Sequence, residues 1–332
     1  MSRSFDVYGV GHALVDVQYT IAPERLGQLG IRKGVMTLID ETQQAQLLQA
    51  LQEASLMAQA SGGSAANTMI GVASFGGTAY YTCLLGQDKW GDFYHRDLEK
   101  AGVRSNPGQR TAGPTGKCVV LITPDADRTL NTFLGVSSQL APEHLEKAVI
   151  EDSTHLYIEG YLVSSDSGFA SCLHAQELGR QAGTQVALTL SDPAMVEYFR
   201  ARFEQLVDRG VDLLFCNEEE ARAFTGASDR QAAASQLASL VEAGCITCGA
   251  DGALVFEAGR YTLVPGFAAQ AVDTTGAGDL FAGGVLFGLA RGHSLARAAR
   301  LGNYAAAQVV AHYGPRLGHP LKGKIDQILS TP

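Results

Sequence analysis

Short apolar segments alternate with helix-periodic ones along most of this chain. That alternation limits the fold more than any other feature. FDVYGVG (5–11), TAYYTCLLG (78–86), HLYIEGYLV (155–163), QVALTLSD (185–192), VDLLFCN (211–217) and GCITCG (244–249) read as strands, with helical stretches between most of them. Such a pattern argues for an α/β fold whose mostly parallel sheet is covered on both faces. A helix is expected over 41–60, where Leu47, Leu48, Leu51 and Leu56 fall near one face. SGGSAANTMIGVASFGG (61–77) reads as a glycine turn opening a second helix, with Ser64 as its cap.

Two segments break the rhythm. Residues 18–40 are strand-like and glycine-punctuated, and in 110–135 KCVVLITPDADRTLNTFLG reads as a hairpin turning at Pro124 to Asp127. Both are assigned to a small β-sheet acting as a lid, leaving 1–17, 41–109 and 136–332 to a large domain. A chain of 332 residues suits one large domain with an appendage.

The acidic balance, a formal net charge of −9, makes a general nucleic-acid binder a poor fit, because phosphate neutralisation needs clustered Lys and Arg. No window approaches the roughly 18 apolar residues of a membrane span. MSRSFDVYGVG reads directly into a strand without a leader, so a cytoplasmic protein with reduced thiols is expected. Cys245 and Cys248 form a lone C-x-x-C inside a strand. Residues three apart there point to opposite faces, so they read as core residues rather than a metal or redox pair.

DTTGAGDLFAGG, Asp273 to Gly284, carries the chemistry. From Ala277 onward Ala277, Leu280, Phe281, Gly284, Val285, Gly288 and Leu289 recur at helical spacing, so Thr274 to Gly276 leads into a helix N-terminus. Unpaired amides and the positive end of the dipole lie there, and glycine lets an anion approach the backbone. The plainer alternative is a glycine-rich turn with Asp279 as a dipole partner. The spacing is neither G-x-G-x-x-G nor G-x-x-x-x-G-K-[ST], so dinucleotide-fold and P-loop chemistry are excluded. A carboxylate beside an anion site repels the ligand unless it has another task. Phosphoryl transfer supplies one, because a base must take the proton of the attacking hydroxyl.

DTTGAGDLFAGG closely resembles the C-terminal signature of the PfkB (ribokinase-like) carbohydrate and nucleoside kinases. GGSAANT, Gly62 to Thr68, resembles that family's N-terminal signature about 200 residues upstream. The resemblance spans nearly the whole chain. It implies a ribokinase-like three-layer αβα sandwich with a small β lid, and ATP-dependent phosphorylation of a sugar or nucleoside hydroxyl. It makes Asp279 the base and Gly276, Ala277 and Gly278 the anion hole for the γ-phosphate.

It also gives roles to residues that read otherwise on their own. Asp16, alone a surface turn or cap, would hold acceptor hydroxyls together with Gly62, Gly63 and Asn67. The family often has asparagine where this chain has His12. Asn217 and Glu220, alone a capped acidic first turn, match an N-x-x-E motif that organises Mg²⁺ and its waters. Arg128, alone an exposed turn residue, would reach the transferring phosphate from the lid. Gly249 and Gly252 follow a strand as nucleotide-site glycines do, and Asn303 is a candidate for adenine contact. Asp273 reads as a loop organiser, and in some relatives the matching residue helps hold a monovalent cation such as K⁺.

GVGHALVDV, KGVMTLID, SGGSAANT and DRTLNTFLG look most like the adenosine-kinase-like branch. The expected acceptor is therefore a nucleoside such as adenosine at its 5′ hydroxyl, with a ribose or fructose kinase and a silent nucleotide-binding regulator as rivals. Adenosine would need an apolar, aromatic slot, for which Tyr19, Phe133 and Tyr161 are candidates. Relatives include monomers and homodimers.

Overall fold

A computed structural model describes residues 3–125 and 127–330. Among them a nine-stranded sheet runs in the order Arg260–Val264, Ala253–Glu257, Ala243–Thr247, Leu213–Asn217, Gln185–Thr189, Ser153–Ile158, Phe5–Val10, Ala79–Thr82, Val103–Arg104. All neighbours pair in parallel except the two antiparallel pairings made by Ala253–Glu257.

The pleat sorts each strand into two cores. Val7, Tyr157, Ala187, Leu213, Phe215 and Cys245 join one cluster with the helices Ser64–Ser74, Ala277–Ala290 and Leu295–Val309. Tyr8, Leu156, Ile158, Val186, Leu188, Leu214 and Ile246 join the other with the helices Asp166–Ala182, Pro193–Asp208 and Glu218–Thr225. The result is the expected three-layer αβα sandwich. Cys245 lies in the first core and Cys248, just past the end of the Ala243–Thr247 strand, packs against the second, both as free thiols.

A five-stranded sheet stands apart, in the order Met36–Leu38, Arg128–Gly135, Thr115–Ile122, Leu14–Thr20, Leu56–Gly62. Thr115–Ile122 and Arg128–Gly135 form the expected hairpin, one turn residue of which lies outside the described residues. This sheet takes more chain than 18–40 and 110–135, because Leu14–Thr20 and Leu56–Gly62 belong to it. The helix expected over 41–60 accordingly stops early. Asp40 caps it in a capping box, it runs Glu41–Ala50, and from Leu56 the chain pairs antiparallel with Leu14–Thr20. Long-range pairing overrides the leucine spacing there. Leu56 stays about half exposed, at 50%.

The Ala277–Ala290 helix is buried all round from Leu280 to Gly288, not along one face, because it is sandwiched between its neighbours in the first core. Among the described residues no helix is long and apolar enough to cross a membrane. The parallel strands end on one side of the sheet at Val10, Ile158, Thr189, Asn217 and Thr247. In open α/β sheets ligands bind beyond those carboxyl ends.

Candidate active site

The anion loop is tied from below. Asp273 is buried. Its Oδ1 accepts from the Thr275 amide at 2.9 Å and from the Thr275 hydroxyl, and its Oδ2 accepts from the Gly314 amide at 2.6 Å. Gly276 then turns left-handed at φ 72° and caps the Ala277–Ala290 helix without a side-chain bond; the Ala277 amide donates to the Thr274 carbonyl at 3.3 Å, a long bond that an anion at the helix start would have to displace. Gly278 is different. Its φ is not positive, and a methyl group there would meet nothing within 4 Å. Neither backbone conformation nor packing requires glycine at that position.

Asp279, in the first turn, is held by two donors. The Ser64 hydroxyl donates to Oδ1 at 2.7 Å and the Asn67 amide to Oδ2 at 2.9 Å. Ser64 is therefore not the cap expected from the sequence: Gly63 holds that place, and Ser64 opens the Ser64–Ser74 helix with its hydroxyl turned to Asp279. Burial pushes the Asp279 carboxyl up to about 6, and the two donors hold it down. It is charged near neutral pH and close enough to its pKa to take a proton. If it is the base, kcat/KM should fall as pH drops through about 6. A kcat/KM constant between about pH 5 and about pH 8 contradicts that role.

A cavity of about 290 Å³ opens above Asp279 between the two sheets, and His12, Asp16, Gly63, Asn67, Arg128 and Glu159 line its polar side. Asp16 is a buried strand residue rather than a surface turn. Its carboxylate lies on Gly62, where a methyl group would sit 2.3 Å away, so only glycine fits. Gly62 thus acts from beneath the cavity, while Gly63 lines it. Arg128, likewise no exposed turn residue, opens its strand facing the cavity, with Nε 3.3 Å from Asp273 Oδ1. Nε has no aligned hydrogen-bond partner, so this is a charge contact.

The apolar wall is aliphatic: Leu14, Met36, Leu38, Leu130, Leu134 and Met195. Of the three aromatic candidates only Tyr161 lines it. Tyr19 and Phe133 lie one residue out of phase with Leu14 and Asp16, and with Leu130, Thr132 and Leu134, so the pleat turns them to the other face.

A second cavity, of about 600 Å³, lies across the same loop and is lined by Gly249, Gly252, Phe267, Ala277, Gly278 and Asn303. The two cavities share the loop as a wall: Thr275, Gly276 and Asp279 face one, while Thr274, Ala277 and Gly278 face the other. Asn303 donates to the carbonyls of Val264 at 2.9 Å and Pro265 at 3.1 Å, which occupies its amide nitrogen.

Asn217 and Glu220 form a capping box, as the plainer reading has it. Asn217 accepts from the Glu220 amide at 2.8 Å, and Glu220 accepts from the Asn217 amide at 3.0 Å and its side chain at 2.6 Å. The acid is nevertheless buried, and burial pushes it up to about 7. The Asn217 backbone lowers it, while Asp192, Asp279 and Glu219 raise it further. A divalent cation with its waters would relieve that carboxylate field, so the residues suit Mg²⁺. Among the described residues no group of three or more His, Cys, Asp and Glu side chains is placed to hold a metal ion.

Two residues of the site carry contacts that the sequence reading does not assign. Ser64 has a usable signal, being three residues from Asn67 and so on the same helix face. Glu159 has a weaker one, an acid just past an apolar strand. It accepts from the His12 amide at 3.2 Å and the Ala65 amide at 2.8 Å, and burial raises it to about 8.

The pfkB family carbohydrate kinase domain matches residues 35–321 of the chain. The chain is 35% identical to the adenosine kinase from Sinorhizobium meliloti, with a TM-score of 0.91 over 97% of this chain and 99% of that one. It is 34% identical to a probable sugar kinase protein from Rhizobium etli CFN 42, with a TM-score of 0.92 over 98% and 99%. The adenosine kinase of Saccharomyces cerevisiae is 29% identical, matching 92% of this chain and 95% of its own length.

Proposed function

The chain belongs to the pfkB family of carbohydrate kinases, and on that premise we propose that it moves the γ-phosphate of ATP to a hydroxymethyl group of a nucleoside, adenosine at its 5′ oxygen. The shared wall carries this reading: a single loop of small residues divides an acceptor-sized cavity lined by the acids Asp16, Glu159 and Asp279 from one bordered by glycines. Asp16 takes vicinal hydroxyls with its two oxygens, and Asn67 fixes Asp279 beneath the attacking oxygen.

The acceptor oxygen forms a bond to the γ-phosphorus as the bond from that phosphorus to the bridging oxygen breaks. The acceptor proton passes to Asp279, and ADP leaves. The amides of Gly276, Ala277 and Gly278 receive the charge on the transferring group, and Arg128 adds its cationic fork from the small sheet. Gly249 and Gly252 border the nucleotide, with Asn303 behind them bracing the Val264–Pro265 backbone. Glu220, set by Asn217, would hold the waters of a bound Mg²⁺, whose charge would offset that of the polyphosphate. Asp273 organises the loop, and any K⁺ requirement would act there. Enclosure by the small sheet keeps water from competing with the acceptor.

The aliphatic wall favours a nucleoside over a bare sugar, because Leu38, Leu130 and Leu134 offer a base an apolar seat that a hydroxylated ring would not use. The relatives named as adenosine kinases support the same choice. An ADP-release assay over nucleosides and sugars tests it, with adenosine expected to give the highest kcat/KM. Turnover of fructose or ribose without adenosine rejects the acceptor, and no turnover with any member favours a silent regulator.

A further inference from the structure

Gly314–Arg316 belongs to no helix or strand and lines neither cavity of the site, yet it touches both halves. At one end the Gly314 amide donates to Asp273, and Pro315 packs so close to the anion loop that a methyl group on Gly276 would lie 2.8 Å from its Cβ. Two residues later Arg316 crosses to the small sheet. Its Nη2 donates to the Ser61 carbonyl, to the Ser61 hydroxyl oxygen at 2.5 Å and to Asp97 Oδ2 at 3.2 Å. Asp97 closes the ring by accepting from the Ser61 amide at 2.8 Å and hydroxyl at 2.7 Å. Ser61 immediately precedes Gly62, on which the Asp16 carboxylate rests.

We propose that Arg316 is a positioning residue of the acceptor site, acting through Asp16: it pins the Ser61–Gly62 backbone beneath that carboxylate. The inference rests on the reading of Asp16 as the acceptor's anchor. Burial raises the Asp16 carboxyl to about 7. Arg128 from the small sheet and then Arg316 hold it down, and Asp279 from the helix below pushes it up. The Cys118 thiol and the Tyr94 phenol also feel its charge. Only an ionised Asp16 offers two acceptor oxygens to two hydroxyls, so losing a nearby cation should cost affinity just where the group titrates. A residue that only braced the fold would lower stability without moving a titration.

The test is calorimetric titration of adenosine, or of D-fructose if the acceptor panel selects it, into wild type, Arg316→Lys, Arg316→Gln and Asp16→Asn across about pH 5.5 to 8.5. Thermal melts establish that each variant is folded. Wild-type affinity is expected to weaken as pH falls through about 7. In Arg316→Gln the midpoint should move upward; a midpoint about one pH unit higher would weaken binding about fivefold at about pH 7. Arg316→Lys keeps the charge but not the fork, so its midpoint should stay near wild type while binding weakens at every pH. Coincident pH curves for wild type and Arg316→Gln overturn the proposal, as does an equal shift in Arg316→Lys. Asp16→Asn separates the two layers of the argument. If it binds acceptor as wild type does, the reading of Asp16 is at fault; if it weakens binding while Arg316→Gln changes nothing, only the role of Arg316 falls.

Discussion

Asp279→Asn should bind ATP like the wild type and turn over at least about 100-fold more slowly, the smaller end of what a placed general base contributes. The substitution is nearly isosteric, and the Ser64 hydroxyl and Asn67 amide remain in place at 2.7 Å and 2.9 Å from the positions of the carboxylate oxygens. What is lost is the capacity to accept a proton. Stability should move the other way. Burial pushes the carboxyl above its ordinary value, so above the unfolded pKa, near 4, the ionised form opposes folding, and it does so fully once pH exceeds about 6. A neutral amide removes that opposition, so Tm at neutral pH should hold or rise. Lower turnover with an unchanged or higher Tm cannot be ascribed to unfolding. A variant with near-normal kcat removes Asp279 from the chemistry, whatever its Tm.

Gly278→Ala should show the same opposition between stability and rate, for a different reason. Position 278 has ordinary helical backbone and open space where a side chain would go. Alanine is the better helix former, so the variant should be more stable by up to about 1 kcal/mol. The added methyl group projects into the cavity shared with Ala277 and Asn303, where the reading puts the transferring phosphate. Displacing that group from one preorganised amide should lower turnover by about 100-fold, the scale of a lost oxyanion donor. Steady-state kinetics and a melt on the same sample check both halves. Contrast Gly276, where φ is 72° and Pro315 leaves no room. A substitution there would damage loop and fold together and separate nothing. A glycine that the fold does not need is the better probe of what the ligand needs.

The sheet's parallel core and the glycine loop that opens the Ala277–Ala290 helix are legible because each is written locally. Strands buried on both faces read as apolar runs, and the loop's glycines stand beside the helix they open. The failures share one cause, which is that partners distant along the chain do not show in a window. Leu56 continues the spacing of Leu47, Leu48 and Leu51, but Leu56–Gly62 pairs with Leu14–Thr20 and leaves the helix. Arg128 looks like a turn residue until Asp273 is folded beside it. Tyr19 and Phe133 suit a base slot by type, whereas the pleat decides which face a residue serves, and a shift of one residue reverses it. Ser64 has the chemistry of a cap, but its partner, Asp279, is 215 residues away. The site was therefore readable as motifs and their order, while its hydrogen bonding was not.

The central claim is that the amides opening the Ala277–Ala290 helix receive the phosphoryl group while Asp279 faces the hydroxyl that attacks it. A crystal structure with a non-hydrolysable ATP analogue and acceptor tests it most directly. The terminal phosphate should lie within hydrogen-bond reach of the Gly276 to Gly278 amides, with an acceptor hydroxyl between it and Asp279. A terminal phosphate lying elsewhere, or an acceptor whose nearest hydroxyl does not approach Asp279, contradicts the account.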